Sequence, residues 1–332
     1  MPQENKPFSA INIGIIGPGR VAERHALALK DMSQACLWSV YGRNYSKAQN
    51  FASIHQAKSP QPAYQHVEDL LADPELSAVI IATPDSSHTH FINLTMDAGK
   101  SILVEKPLCT SLQEGQNLLI KQQKLHSLIM IGHHLRWHTG LRKLAQYCHH
   151  NHIDIQHMKL RWGVNFKEHA KWRLNASSKT WCCLSALGTH LLDLTKWFMT
   201  PECGKMVGIT SQTTLFSQSQ SDAKNIIMLK FQSGATAEIN CSLLEDYPFE
   251  LELYTKNGLI QGENLVGEFE KRKIWIQNAP FLFKNENTYQ NQLNAFVQLV
   301  IDKQKPAVSL EDGLNLVKDL WAIYPLNEIR SK

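Results

Sequence analysis

Residues 11–22, Ile11-Asn12-Ile13-Gly14-Ile15-Ile16-Gly17-Pro18-Gly19-Arg20-Val21-Ala22, decide how the rest of the chain is read. Ile11, Ile13, Ile15 and Ile16 make a β-branched run of the kind found in strands covered on both faces. Two glycines follow at once, and Ala22 stands at the third small position of G-x-G-x-x-G/A. Each small residue meets a physical demand. Gly17 permits a tight turn, Gly19 lets a pyrophosphate come close to the backbone, and Ala22 lets a helix pack on the strand. Residues 22–32 read as that helix, whose free N–H groups and positive dipole end suit an anion. Alone, the motif can be an ordinary glycine turn. Between a strand and a helix it predicts a dinucleotide-phosphate site over Gly17, Gly19, Arg20 and Val21.

The chain has 332 residues, enough for two domains with substantial cores. Charged residues are 19% and apolar residues 43%, an ordinary globular composition. The net charge is only +4 with His neutral, and the basic residues are spread out. No nucleic-acid-binding stripe is expected from such a distribution. No apolar run reaches the roughly 18 residues of a membrane span. The first ten residues are polar, carry Pro2 and Pro7, and lack the apolar stretch of a secretion signal. The cysteines (Cys36, Cys109, Cys148, Cys182, Cys183, Cys203 and Cys241) are odd in number and scattered. They predict reduced thiols and a cytoplasmic location rather than a disulfide framework.

Outward from the opening motif, residues 36–42 read as a second strand. In NAD-binding Rossmann units its end carries an Asp or Glu that accepts from the ribose 2′-hydroxyl. Here the chain has Gly42, Arg43 and Asn44. A guanidinium suits a 2′-phosphate, so Arg43 favours NADP over NAD. The alternatives for Arg43 are a solvated strand-end charge or a stack on adenine with NAD. Further strands are expected over 61–65, 78–82, 101–104 and 128–131, and helices over 46–53, 67–72, 88–98 and 110–125. Such alternation predicts a doubly wound parallel sheet. Ligands sit at the carboxyl ends of its strands, so Thr83, Pro84 and His88 should border the cofactor, as should Glu105 and Lys106.

The second half changes character. A helix over 141–148 precedes strand-like runs at 153–164, 208–216, 226–232, 235–244, 249–255, 259–262 and 273–277. They predict an α+β domain with a large, mostly antiparallel sheet and helices on one face. Asn257-Gly258 suits a type I′ hairpin turn. Two helices follow. Tyr289, Leu293, Phe296, Val297 and Val300 repeat at helical spacing in the first, and Ser309 caps the second with Asp312 as partner. The expected domains are 9–131, binding NAD(P), and 132–332, binding substrate and mediating oligomerisation.

Several landmarks in order now resemble one family. They are Gly17-Pro18-Gly19-Arg20-Val21-Ala22, Ala82-Thr83-Pro84-Asp85-Ser86-Ser87-His88, Glu105-Lys106-Pro107-Leu108, Gly132-His133-His134-Leu135-Arg136-Trp137, Trp172-Arg173, and Leu187-Gly188-Thr189-His190-Leu191-Leu192-Asp193. The chain resembles the Gfo/Idh/MocA oxidoreductases over nearly its whole length from Ile11. The resemblance implies a Rossmann domain, an open-faced sheet domain that forms dimers or tetramers, and a sugar, cyclitol or related polyol substrate. It also maps the family's catalytic lysine and histidine onto Lys106 and His190.

Residue chemistry agrees with those roles. A nicotinamide cofactor carries hydride while the protein positions the substrate and manages the proton. Lys106 can stabilise negative charge on the reacting oxygen. His190 can accept a proton near neutral pH. The plainer alternatives are a surface strand-end lysine and a satisfied histidine at a helix start. Arg173 can hold a phosphate or carboxylate of the substrate, or form a surface ion pair. Asp193 supports the helix or orients His190. His133, His134 and His138 line a ligand cleft or form a solvated segment. Cys182, Cys183 and His190 lack zinc spacing, so no metal is expected.

The chain also departs from the family pattern. An Asp usually lies four residues before the histidine, one turn away on the same face. Here Ala186 stands there. Thr180-Trp181-Cys182 occupies the place of a usual glycine run. Relatives acting on UDP-linked sugar acids resemble this chain in lacking the Asp, so a nucleotide-sugar-like substrate stays open. Two readings follow: an NAD(P)-dependent dehydrogenase or reductase, or a dinucleotide-binding sensor without turnover.

Overall fold

The computed structural model of the protein describes residues 10–165, 181–217, 219 and 221–324. The opening motif unfolds into alternating elements, β1 (Ile11–Ile16), α1 (Arg20–Lys30), β2 (Ala35–Tyr41), α2 (Tyr45–Ile54), β3 (Ala63–Tyr64) and α3 (Val67–Ala72). β4 (Ala78–Ile81), α4 (His88–Asp97), β5 (Ser101–Glu105), α5 (Leu112–Leu125) and β6 (Ile129–Gly132) continue it. The six strands are parallel, in the order β3-β2-β1-β4-β5-β6. Ile13, Ile15, Ile80, Ile81, Ile102 and Val104 are fully buried, as the β-branched runs require for a sheet covered on both faces. The order reverses at β1, which lies between β2 and β4, so a crevice opens at their carboxyl ends.

The second sheet follows α6 (Thr139–His150). It comprises β7 (Ile155–Gly163), β8 (Met206–Leu215), β9 (Asp222–Phe231), β10 (Thr236–Ser242), β11 (Tyr247–Thr255), β12 (Gly258–Glu263), β13 (Lys273–Ile276) and β14 (Ala279–Pro280). A long helix, α7 (Thr189–Cys203), precedes β8, and α8 (Thr288–Asp302) and α9 (Leu310–Ile323) follow β14. The strand order is β14-β13-β12-β11-β7-β10-β9-β8, antiparallel except where β10 pairs with β7. One face is apolar and buried: Ile239 pairs with Ile227, and Leu251 with Leu160. The other carries Lys159, Glu238 and Glu252 with Met228 and Tyr254, the last two 40% and 42% exposed.

Two compact units result, 1–132 with 289–314, and 133–288 with 315–332. This differs from a linear division into 9–131 and 132–332, because the chain returns to the first unit. Leu293, Phe296 and Val297 are fully buried, and Ile131 N–H donates to Val308 O at 3.1 Å. Ser309 and Asp312 form the expected reciprocal cap, with Ser309 N–H donating to Asp312 Oδ2 at 2.8 Å and Asp312 N–H to Ser309 Oγ at 3.1 Å.

One turn is corrected. Thr255 pairs with Gly258, so Lys256 and Asn257 form the loop, and of the three residues only Gly258 has a positive φ, 125°. A type I′ turn needs positive φ at both central positions. That geometry occurs instead at Gln277 (φ 51°) and Asn278 (φ 67°), between β13 and β14.

Candidate functional site

In the first unit, the glycine loop is built as its sequence demands. Gly17 has φ +96°, and a Cβ there would lie 2.7 Å from Thr83 Cγ2 and 3.0 Å from the carbonyl of Ala82. No other residue fits. Gly17 N–H donates to Tyr41 O at 2.8 Å, tying the loop to the end of β2. Gly19 precedes α1 in extended conformation with no side-chain cap. A Cβ on Gly19 would meet nothing within 4 Å. The space before the free N–H groups of α1 is therefore open, and these residues fit a dinucleotide pyrophosphate. Arg20 is exposed, Val21 is 37% exposed and Ala22 is fully buried.

The ends of β4 and β5 are braced together. His88 is buried, with Nδ1 2.8 Å from Pro107 O and Nε2 3.0 Å from Thr83 O. Both ring nitrogens are engaged by the protein, so His88 holds the two strand ends together. Thr83 Oγ1 accepts from Ser87 Oγ at 2.9 Å, and Pro84 is exposed beside it. Glu105, expected at the cofactor, turns its carboxylate inward. Oε1 accepts from His25 Nε2 at 2.8 Å, and Oε2 accepts from Lys106 N–H at 3.4 Å. His25 is fully buried on α1, edge-on to Tyr289 with ring centroids 5.1 Å apart. Lys106 itself is half-buried at the carboxyl end of β5 and precedes a cis Pro107. Arg43 is exposed just past β2, with Asn44 capping α2 through Lys47 N–H at 3.0 Å.

In the second unit, His190 is 3% exposed at the start of α7. Three rings surround it: His134 with centroids 4.7 Å apart, His133 at 5.9 Å and Trp162 at 6.0 Å. His133 and His134 are buried, so they are not a solvated segment. Asp193 neither caps the helix nor reaches His190. Arg136 forks onto it, Nε to Oδ2 at 2.8 Å and Nη2 to Oδ1 at 2.7 Å, while His133 Nδ1 lies 3.7 Å from Oδ2. Ala186 falls in a π-helical turn, Leu184–Gly188, so the α-helical spacing that aligns it with His190 does not run through this turn. Trp181 is fully buried, donating Nε1–H to Tyr324 O at 2.8 Å, and its bulk belongs to the core of this unit. Arg173, like Trp172 and Thr180, lies outside the described residues.

Several of these partners carry little sequence signal. His25 sits at helical spacing with Ala22, Ala26 and Leu29, but spacing names no partner 80 residues away. Asp222, fully buried, accepts from Cys182 N–H at 2.6 Å and Leu184 N–H at 2.7 Å, anchoring the segment before His190. Burial pushes its carboxyl pKa up, against the pull of those donors. Burial likewise raises the Cys183 thiol, next to Cys241, and all seven cysteines are free thiols.

His138 carries a pH dependence. Its Nδ1 accepts from Leu141 N–H at 3.1 Å, capping α6, and burial, with the Arg272 charge, lowers its pKa to about 4. The folded state thus binds this proton less readily than the unfolded chain. Stability from this group is complete above about pH 6.5 and is lost as pH falls toward 4. The expected loss is about 3 kcal/mol. In His138→Asn, which keeps a capping oxygen but does not titrate, urea unfolding between pH 4 and 7 should show that component removed.

The sequence comparisons agree with this architecture. The description "Oxidoreductase family, NAD-binding Rossmann fold" matches residues 11–133, and "GFO/IDH/MocA C-terminal domain" matches residues 152–261. Oxidoreductase P35 of Formosa agariphila is 31% identical, over 89% of this chain and 98% of its own. Myo-inositol 2-dehydrogenase of Thermotoga maritima is 22% identical, over 91% of this chain and 92% of its own. Among solved structures, KijD10, a 3-ketoreductase of Actinomadura kijaniata in complex with NADP and TDP-benzene, superposes with a TM-score of 0.83. The match covers 95% of this chain and 97% of that one at 19% identity. With both domains matched and a relative above 30% identity along nearly its whole length, the chain belongs to the Gfo/Idh/MocA family of oxidoreductases.

Proposed function

We propose that this protein oxidises or reduces a hydroxyl or keto carbon of a sugar, cyclitol or nucleotide-sugar-like substrate, using NADP in preference to NAD. The observation that carries the reading is Lys106 at the carboxyl end of β5, in the unit that also holds the open Gly17–Gly19 cradle. When bound, a nicotinamide dinucleotide supplies hydride transfer. Gly17, Gly19, Arg20 and Val21 hold its phosphates, and Thr83 and Pro84 form the adjoining wall, supported from behind by the buried His88 and Glu105. Lys106 Nζ hydrogen-bonds the reacting oxygen and steadies its negative charge. His190 takes the hydroxyl proton in oxidation and returns it in reduction. Arg173 contacts the substrate. Relatives named as an inositol dehydrogenase and a 3-ketoreductase support the substrate class.

Arg43 is the basis for NADP. It is exposed, and no ion pair or hydrogen bond to it is found among the described residues. A guanidinium in that state can fork onto a 2′-phosphate. The test is nicotinamide absorbance over a panel of sugars, cyclitols and nucleotide sugars with NADPH, NADP, NADH and NAD. One compound should change the signal, and Arg43→Ala should weaken NADPH binding at least about tenfold while sparing NADH. Equal weakening of both would remove the argument from Arg43. Binding of dinucleotide without turnover on any compound would favour the sensor reading, which rests on Ala186 and Trp181.

We assign the half-exposed face of the second sheet to contact with another copy of the chain, as a dimer or tetramer, measurable by light scattering. The seven free thiols suit a reducing compartment, and we place the protein in the cytoplasm. No helix among the described residues is long and apolar enough to cross a membrane.

A further inference from the structure

We infer that Pro18 is a determinant of dinucleotide preference, because it keeps position 42 free of any side chain. The inference rests on the NADP reading above and assigns its cause to a second residue. Gly42 directly follows β2, the place where NAD-binding units carry their ribose carboxylate. It is buried, and its φ is not in the left-handed region, so the backbone does not require glycine there. The requirement is steric. A Cβ on Gly42 would lie 2.7 Å from Pro18 Cδ and 2.9 Å from Pro18 Cγ. Ordinary carbon contacts are about 3.5–4.0 Å.

Pro18 cannot give way. Its ring is closed on the backbone and has no side-chain rotamer to change. The loop around it is pinned on both sides: Gly17 N–H donates to Tyr41 O at 2.8 Å, and Gly19 N–H donates to Gly17 O at 2.9 Å. Gly17 has no room either, since its own Cβ would collide with Thr83. An Asp or Glu at position 42 is therefore incompatible with Gly17-Pro18-Gly19 in this conformation. What remains at the end of β2 is cationic. Arg43 is exposed, Asn44 uses its Oδ1 to cap α2, and the first turn of α2 has no acidic residue but contains Lys47. A 2′-phosphate meets no carboxylate there and finds a guanidinium. A 2′-hydroxyl loses the acceptor that would recognise it.

The test is a double-mutant cycle on the full chain, with Pro18→Ala and Gly42→Ala read by thermal unfolding. In parallel, Gly42→Asp is made with and without Pro18→Ala, and NADPH and NADH affinities are read by fluorescence. Gly42→Ala should lower Tm by about 2–6 °C with Pro18 present and by little once Pro18→Ala is added. Gly42→Asp alone should weaken both dinucleotides, and Pro18→Ala with Gly42→Asp should restore NADH binding and shift the affinity ratio toward NADH at least about tenfold. Two results overturn the role of Pro18: Gly42→Ala equally tolerated in both backgrounds, or Gly42→Asp alone shifting the ratio as far as the pair. Failure of Pro18→Ala to recover folding in either Gly42 variant counts against it in the same way. A wild-type protein that binds NADH as tightly as NADPH overturns the cofactor reading instead, whatever the cycle shows.

Discussion

Lys106→Ala is expected to lower kcat about 10³-fold while leaving dinucleotide affinity within about twofold of wild type. The split follows from where the residue sits. Its main-chain N–H donates to Glu105 Oε2, a contact that alanine retains. The cradle has its own ties: His25 Nε2 to Glu105 Oε1 at 2.8 Å, the His88 ring between the carbonyls of Pro107 and Thr83, and main-chain hydrogen bonds in the glycine loop. In the proposed chemistry, removing Nζ takes away stabilisation of charge on the reacting oxygen, while these ties still hold the cradle. His190→Asn should also reduce kcat, with a loss that shrinks at high pH, where hydroxide replaces the missing base. Turnover by Lys106→Ala at the wild-type rate would refute the assigned chemistry even if the dinucleotide still bound.

For stability, the largest expected effect is at Asp193. Asp193→Ala should cost about 3–5 kcal/mol in urea unfolding. The carboxylate is 1% exposed and takes both arms of the Arg136 fork, so its removal takes a buried bidentate acceptor away from a guanidinium that is itself largely covered. Replacing both partners by apolar residues of similar size, Arg136→Met with Asp193→Leu, should recover much of the loss, because the penalty lies in a covered charge left without its carboxylate. The same carboxylate is 3.7 Å from His133, whose ring packs against His190. Asp193→Asn should accordingly shift the pH dependence of kcat as well as the unfolding midpoint. A cost below about 1 kcal/mol for Asp193→Ala would place the pair among weak surface bridges.

The elements most legible in the sequence are those set by neighbours in the chain. β1, its glycine turn and α1 follow from a β-branched run and three small residues. The Ser309–Asp312 cap follows from a spacing of three, and the mostly antiparallel second sheet from consecutive strand-like runs joined by short turns. Less legible were features whose cause lies far away along the chain. Asn257-Gly258 carries the stronger local turn signal, yet the loop with two positive φ values forms at Gln277 and Asn278, where the strand pairing of β13 with β14 imposes it. Asp193 is one turn from His190 in sequence, yet its partner is Arg136, brought to it by the segment that follows β6. Glu105 belongs to a strand end that borders the crevice, yet its carboxylate answers a buried histidine on α1.

By itself the sequence determined the fold class and the glycine turn after β1, and through its family resemblance it named Lys106 and His190 as candidates for the chemistry. These rest on local patterning, side-chain chemistry and the order of motifs, all of which are present before the chain folds. Only the tertiary structure decided which unit the segment 289–314 joins, which buried charges pair, and why position 42 is glycine. Those are matters of distance between residues remote in sequence. Burial makes an unpaired charge or a misplaced methyl group costly, and what surrounds a residue is fixed only when the chain has packed.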